Sequence, residues 1–260
     1  MRDKRKDEAY WEAAKADHDA RIRYLSEGLA EDQAEQFPSA SIAASSLLRV
    51  RFQACLLRYS MGDPIDEIAE DVTGLLCDWL PDQLSKHPPG SKMGMERPGF
   101  SQMARYLSAI ILSAPKPDKA AAAVKAYEVY DYTGPPVPGQ VDRIWEAMAD
   151  YLVPGREGFA ASGINWPDAY NDLWLAIAKE TPDEERPRRL SDFLNGWYDK
   201  MASEMAAETN TIKQKAPNYV GYWCLEAAAA SVMAGIDDAS FRDHEHYPAN
   251  WADWARGARS

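Results

Sequence analysis

The densest set of chemically capable side chains is Asp243-His244-Glu245-His246, two carboxylates and two imidazoles in four consecutive positions. Side chains of these types ligate divalent metals, and a bound metal can activate water. Spacing decides whether they can act together. On a helix His244 and His246 point apart; on an extended loop they share a face. The same run also reads as a solvated polar loop or as a contact for a partner. Glu226 is a second candidate, a carboxylate set among apolar residues. Once buried, such a group must be hydrogen-bonded or neutralised. Tyr, Trp or Arg neighbours would account for it structurally, and a general acid would need a second catalytic group that cannot be identified. His18 reads as a helix-surface or boundary histidine. With four histidines and no GxSxG, phosphate-binding loop, dinucleotide-binding glycine pattern or HExxH, the expectation is no catalytic residue, no metal site and no cofactor.

The distribution of charge is more informative. Net charge is −12, which opposes direct nucleic-acid binding and favours a basic partner or simple solubility. Between Tyr59 and Ser85 there are seven acids and no Lys or Arg. Asp63, Asp66, Glu67, Glu70 and Asp71 fall along one face of a helix. A like-charged stripe costs some helix stability, so it reads either as a solvated face or as a surface for a basic partner. Asp237, Asp238, Asp243 and Glu245 form a second acidic group.

The elements that must carry these groups are helical. Apolar residues recur at spacings of three and four from Asp7 to Leu29, with a second helix over Ser39 to Ser60. Asp63-Pro64 reads as a cap followed by proline at the first helical position, opening a helix that Pro81 stops. Lys86 to Pro98 is a Pro- and Gly-rich loop. Further helices are expected from Gly99 to Ser113, from Asp118 to Tyr130, over Val141 to Leu152 and over Pro167 to Lys179. A capping box at Thr181-Pro182-Asp183-Glu184 should start the next, reaching about Glu208. From Tyr219 to Ile236 only Glu226 and Ser231 interrupt the apolar side chains, which predicts a helix buried on most sides. A second aromatic segment, Tyr247 to Trp254, should clamp it.

No segment alternates with period two. The expected fold is all-α, about ten helices packed as antiparallel hairpins with little or no β-sheet. A chain of 260 residues buries about 70% of its unfolded surface. Nine Trp and thirteen Tyr indicate a core built on large aromatics. Thr133 to Gly139 reads as a linker between residues 1–133, an N-terminal helical module, and residues 134–260, a C-terminal one, the two packed together. Cys55, Cys77 and Cys224 lack metal or disulfide spacing and suit a reducing cytoplasm. The charged N-terminus shows no signal peptide.

The run Y-V-G-Y-W-C-L-E-A-A-A-A from Tyr219, then G-I-D-D-A-S-F, then Tyr247-Pro248 and an aromatic helix, resembles the C-terminal module of PoNi-type immunity proteins. Trp197-Tyr198-Asp199-Lys200-Met201 is similar to the helix preceding that element in the family. Leu57-Arg58-Tyr59-Ser60-Met61-Gly62-Asp63-Pro64-Ile65 resembles a signature of its N-terminal module. His246 stands where a second aromatic is expected. The resemblance implies a non-enzymatic cytoplasmic protein that neutralises a PoNe-type DNase toxin used in bacterial competition. Tyr219, Gly221, Tyr222, Trp223, Glu226, Tyr247 and Pro248 would then be structural. Toxin contact is expected from Asp66, Glu67, Glu70 and Asp71 with Asp237, Asp238 and Asp243. The expected partner is a nuclease toxin, with no direct nucleic acid and no membrane; a homodimer stays open. A helical adaptor for another protein, or a metal-dependent hydrolase at Asp243, His244 and His246, are the alternatives.

Overall fold

Trp11, Ala14, His18 and Leu29 form the buried stripe of α1 (Glu8–Glu35), and that stripe lies against α2 (Ser39–Met61). A computed structural model describes residues 1–35, 39–86, 95, 100–131, 141–161, 163–209 and 218–258. The chain continues through α3 (Ile65–Thr73), a π-helical turn over Gly74–Trp79, and α4 (Leu80–Lys86). Then follow α5 (Phe100–Ser113), α6 (Pro117–Asp131), α7 (Arg143–Leu152) and α8 (Pro167–Ile177), and finally α9 (Arg186–Thr209), α10 (Leu225–Met233) and α11 (Ala249–Gly257). The fold is all-α, as the periodicity predicts. Among the described residues the one β-like feature is an isolated bridge between Asp142 and Gly163. The expected linker at 133–139 and most of the expected loop at 86–98 lie outside the described residues.

Helix pairs α1/α2 and α8/α9 are hairpins. Between them, α5 packs against α10 and also touches α3, α7 and α11. Both helices at this junction can approach closely because Ala104, Ala109 and the run Ala227 to Ala230 are fully buried small residues. One continuous core cluster runs from Trp11 to Ala255 and so includes residues of both halves.

Four local readings change. Pro81 does not end a helix; it sits in the first turn of α4, directly after the π turn. A widened turn accommodates a ring that would clash with the carbonyl one turn earlier. Asp63 makes no capping bond to α3, whose flanking residue is Pro64; its carboxylate instead accepts from Arg58 Nε at 2.7 Å. His18 is buried, 1% exposed, with Nδ1–H donated to the Ala14 carbonyl at 2.9 Å. Burial holds its imidazole below the usual histidine range.

The largest change concerns Tyr219. The buried helix begins at Leu225, and Tyr219 to Cys224 is non-helical. Gly221 has φ of +105°, and a Cβ there would collide with Ser60 Oγ and the Trp223 ring. The position therefore requires glycine on two counts. Trp223 Nε1–H donates to Ser60 Oγ at 2.8 Å, and Ser60 Oγ–H donates to the Val220 carbonyl at 2.7 Å. Tyr59 meets Trp223 edge-on at 5.0 Å and Trp251 at 5.2 Å. The two sequence signatures, over a hundred residues apart, thus bind each other.

An N-terminal strap adds to this junction. The Tyr219 hydroxyl donates to the buried Asp3 carboxylate at 2.6 Å and accepts from Arg5 at 3.4 Å. Tyr10 Oη accepts from the Tyr219 backbone N–H at 2.8 Å. Tyr219→Phe removes the only hydroxyl in this set that serves both Asp3 and Arg5. It is expected to cost about 1–3 kcal/mol in urea denaturation and to speed proteolysis of the first residues. Unchanged stability would show that the strap is ornamental to the fold.

Candidate interaction surface

Helix α3 buries Ile68, Ala69 and Val72 and turns its acids outward. Asp66 and Glu67 lie in its first turn, where the helix dipole favours negative charge. Asp66, Glu67, Glu70 and Asp71 are all exposed. They are not electrically equivalent. Arg58, at the end of α2, binds Asp63, Glu67 at 2.6 Å, and Asp71. Asp66 and Glu70 have no ionic partner among the described residues. Arg58 therefore gathers three carboxylates and leaves two outward-facing ones uncompensated.

The second acidic group divides as well. Asp237 and Asp243 are exposed. Asp238, by contrast, is 7% exposed and belongs to the interior, which removes it from the surface set expected from sequence. Its carboxylate accepts from Arg256 at 2.9 Å, from Tyr247 Oη at 3.0 Å and from Arg242 at 3.2 Å. Arg242 also pairs with Asp253 of α11. This network closes the turn after α10 onto α11. Burial alone would raise the Asp238 carboxyl, but the bonds from Arg256 and Tyr247 outweigh it and hold the group below the usual aspartate range.

The histidine run is not assembled as a metal centre. His246 is 8% exposed, stacks on Tyr198 at 5.3 Å, and donates Nδ1–H to the Tyr222 carbonyl at 2.9 Å. It fills the aromatic slot that its position in the motif calls for. His244 Nδ1 accepts the His246 backbone N–H at 3.2 Å. Among the described residues no three His, Cys, Asp or Glu side chains converge as metal ligands. Glu226 is fully buried; one oxygen accepts from Tyr170 Oη at 3.3 Å. Burial raises its carboxyl, opposed chiefly by the charge of Arg105. The remaining family-motif positions, Tyr219, Gly221, Tyr222, Trp223, Tyr247 and Pro248, are buried too.

Sequence reasoning missed a groove of about 580 Å³. Tyr59, Trp223 and Tyr247 line it together with residues of the N-terminal strap and of the segment from Arg242 to Asn250, and its lining is mostly polar. Tyr59 lines it, while Arg58, the preceding residue, holds the α3 acids. The acidic helix and the groove therefore flank the same end of α2. No signal in the sequence joins the first few residues to positions 242–250.

In class, then, this is an all-helical protein whose prominent surface features are charge-sorted and whose Glu226 and His246 side chains are buried. Residues 141–251 match the family described as PoNe immunity proteins (PoNi), C-terminal, which bears out over that stretch the resemblance read in the sequence. The chain is also similar to the crystal structure of protein PA2201 from Pseudomonas aeruginosa, at 18% identity and a TM-score of 0.66, covering 100% of this chain and 92% of that one. At that identity the likeness is one of fold. No curated protein matches the chain. No helix among the described residues is long and apolar enough to cross a membrane.

Proposed function

We propose that the protein is a cytoplasmic immunity protein that binds a nuclease toxin and blocks its access to DNA. The match of residues 141–251 to the PoNi C-terminal family carries this reading. The α3 face supports it: a nuclease needs a basic surface for phosphate, and uncompensated carboxylates are what such a surface attracts. Asp66 and Glu70 are the primary contacts. Glu67 and Asp71, shared with Arg58, contribute less, and Asp237 and Asp243 extend the surface from the turn after α10. The protein acts by occlusion and performs no chemistry of its own.

The test is co-expression with the product of the adjacent gene, assayed for nuclease activity, followed by pull-down and a growth assay. Asp66→Lys/Glu70→Lys should weaken toxin binding about tenfold or more and reduce its dependence on salt, with the melting temperature unchanged. Full affinity in this variant would reject the α3 assignment. Absence of any complex with the wild-type protein would reject the immunity reading.

A further inference from the structure

The groove beside α2 is lined by charges of both signs, but they are not equally available. Arg242 is engaged by Asp238 and Asp253, and Glu245 by Arg5 at 2.5 Å. Arg2 lies over the Tyr59 ring at 4.7 Å and gives one N–H to the Tyr59 carbonyl at 3.0 Å, leaving further N–H groups. Lys4 and Asn250 are exposed and have no partner among the described residues. His244 accepts a backbone N–H at Nδ1, so its ring proton is on Nε2, a donor. Against this donor set stands one uncommitted carboxylate, Asp243.

From this imbalance we infer that the groove docks an acidic polypeptide segment, with Lys4, Arg2, His244 and Asn250 donating to its carboxylates. A volume of about 580 Å³ holds a few side chains rather than a whole element. A nucleic acid is the poorer occupant. Its continuous phosphate charge would run onto the α3 carboxylates at the same end of α2, within a chain of net charge −12. A protein surface can offer both signs in turn. On the proposed function, which this inference deepens, the natural occupant is an acidic segment on the surface of the toxin. The α3 acids would meet a basic patch of the toxin while the groove takes a neighbouring acidic one.

Labelled octaglutamate tests the groove without the toxin. At low ionic strength the full-length protein should bind it saturably by fluorescence anisotropy. Lys4→Glu/Asn250→Asp should weaken that binding about tenfold or more while melting at the wild-type temperature. Asp66→Lys/Glu70→Lys should not weaken it. Lack of saturable binding, or equal binding by the groove variant, overturns the inference. So does a short oligothymidylate that binds more tightly than octaglutamate and is lost in the same variant, since the groove would then be a nucleic-acid site. Octaglutamate binding by a protein that fails to capture the nuclease rejects the immunity reading and leaves the groove's chemistry standing. Capture of the nuclease without octaglutamate binding does the reverse.

Discussion

Replacing Asp238 with alanine is expected to destabilise the protein by about 3 kcal/mol at neutral pH. The carboxylate accepts from Arg242, Arg256 and Tyr247 together. Removing it takes an acceptor from the Tyr247 hydroxyl, which keeps Ser231 at 2.8 Å, and leaves half-buried Arg256 with Ser231, the Ile236 carbonyl and Asp253 at 3.4 Å. The turn from Gly235 to Tyr247 has no helical ladder of its own, so this network is what fixes it to α11. For a chain of this size the melting temperature should fall by about 6–12 °C. The effect is pH-dependent with a defined sign. Because the folded carboxyl is held below the ordinary aspartate range, its contribution is complete above about pH 4 and is lost as pH falls through the lower folded value. The gap between wild type and Asp238→Ala should therefore close in acid. Thermal melts from neutral to strongly acidic pH would check this. A gap that stays constant would mean that the carboxylate charge is not what holds the turn.

Glu226→Ala is expected to cost about 3–5 kcal/mol. Glu226 is fully buried and Arg105, from α5, is 4% solvent-exposed; the charge of Arg105 acts on the Glu226 carboxyl where α5 and α10 pack together. Deleting the carboxylate removes a negative charge that acts on the buried Arg105 guanidinium and the oxygen that accepts from Tyr170 Oη. Glu226→Gln keeps an oxygen for Tyr170 and should cost less. The combined Glu226→Leu/Arg105→Met variant should recover much of the loss, because two buried groups of opposite charge can be replaced by apolar groups of similar volume. The pH sign here is opposite to that of Asp238. Burial raises the folded carboxyl, so the unfolded chain ionises first as pH climbs. Wild-type stability should decline from the ordinary glutamate range up to the folded value, and Glu226→Gln should flatten that decline. Urea titrations over this range give the comparison. If Glu226→Ala folds with wild-type stability, the network has been misassigned. If it folds normally but loses toxin binding, Glu226 has a role beyond packing.

Most helices were readable because their apolar residues repeat at helical spacing and their ends carry proline, glycine or acids. The helices from Ser39 and Pro167 follow from these local terms, as does the absence of a sheet among the described residues. The α3 acids were legible as a face for the same reason: positions 63, 66, 67, 70 and 71 share a side of any helix. What could not be read locally was which of these charges is free. Arg58 lies one helix earlier, and its three ion pairs form only when α2 and α3 fold against each other.

The stretch from Tyr219 shows the same division. Its apolar composition determined that it is buried, and it is. Whether its first six residues are helical was decided by tertiary bonds: Gly221 at positive φ, Ser60 between Val220 and Trp223, Tyr10 on the Tyr219 N–H, and the Cys224 N–H to the His246 carbonyl at 2.8 Å. Each partner comes from a distant segment and satisfies a polar group that a helix would otherwise have satisfied internally. Asp238 and Asp237 are adjacent and chemically identical, yet one is buried under two arginines and the other is exposed. Sequence determined which residues prefer the interior and which spacings make helices, because these are short-range properties. Tertiary structure alone decided which charges are neutralised, where the groove opens and how the strap crosses it, because those depend on pairing groups far apart in the chain.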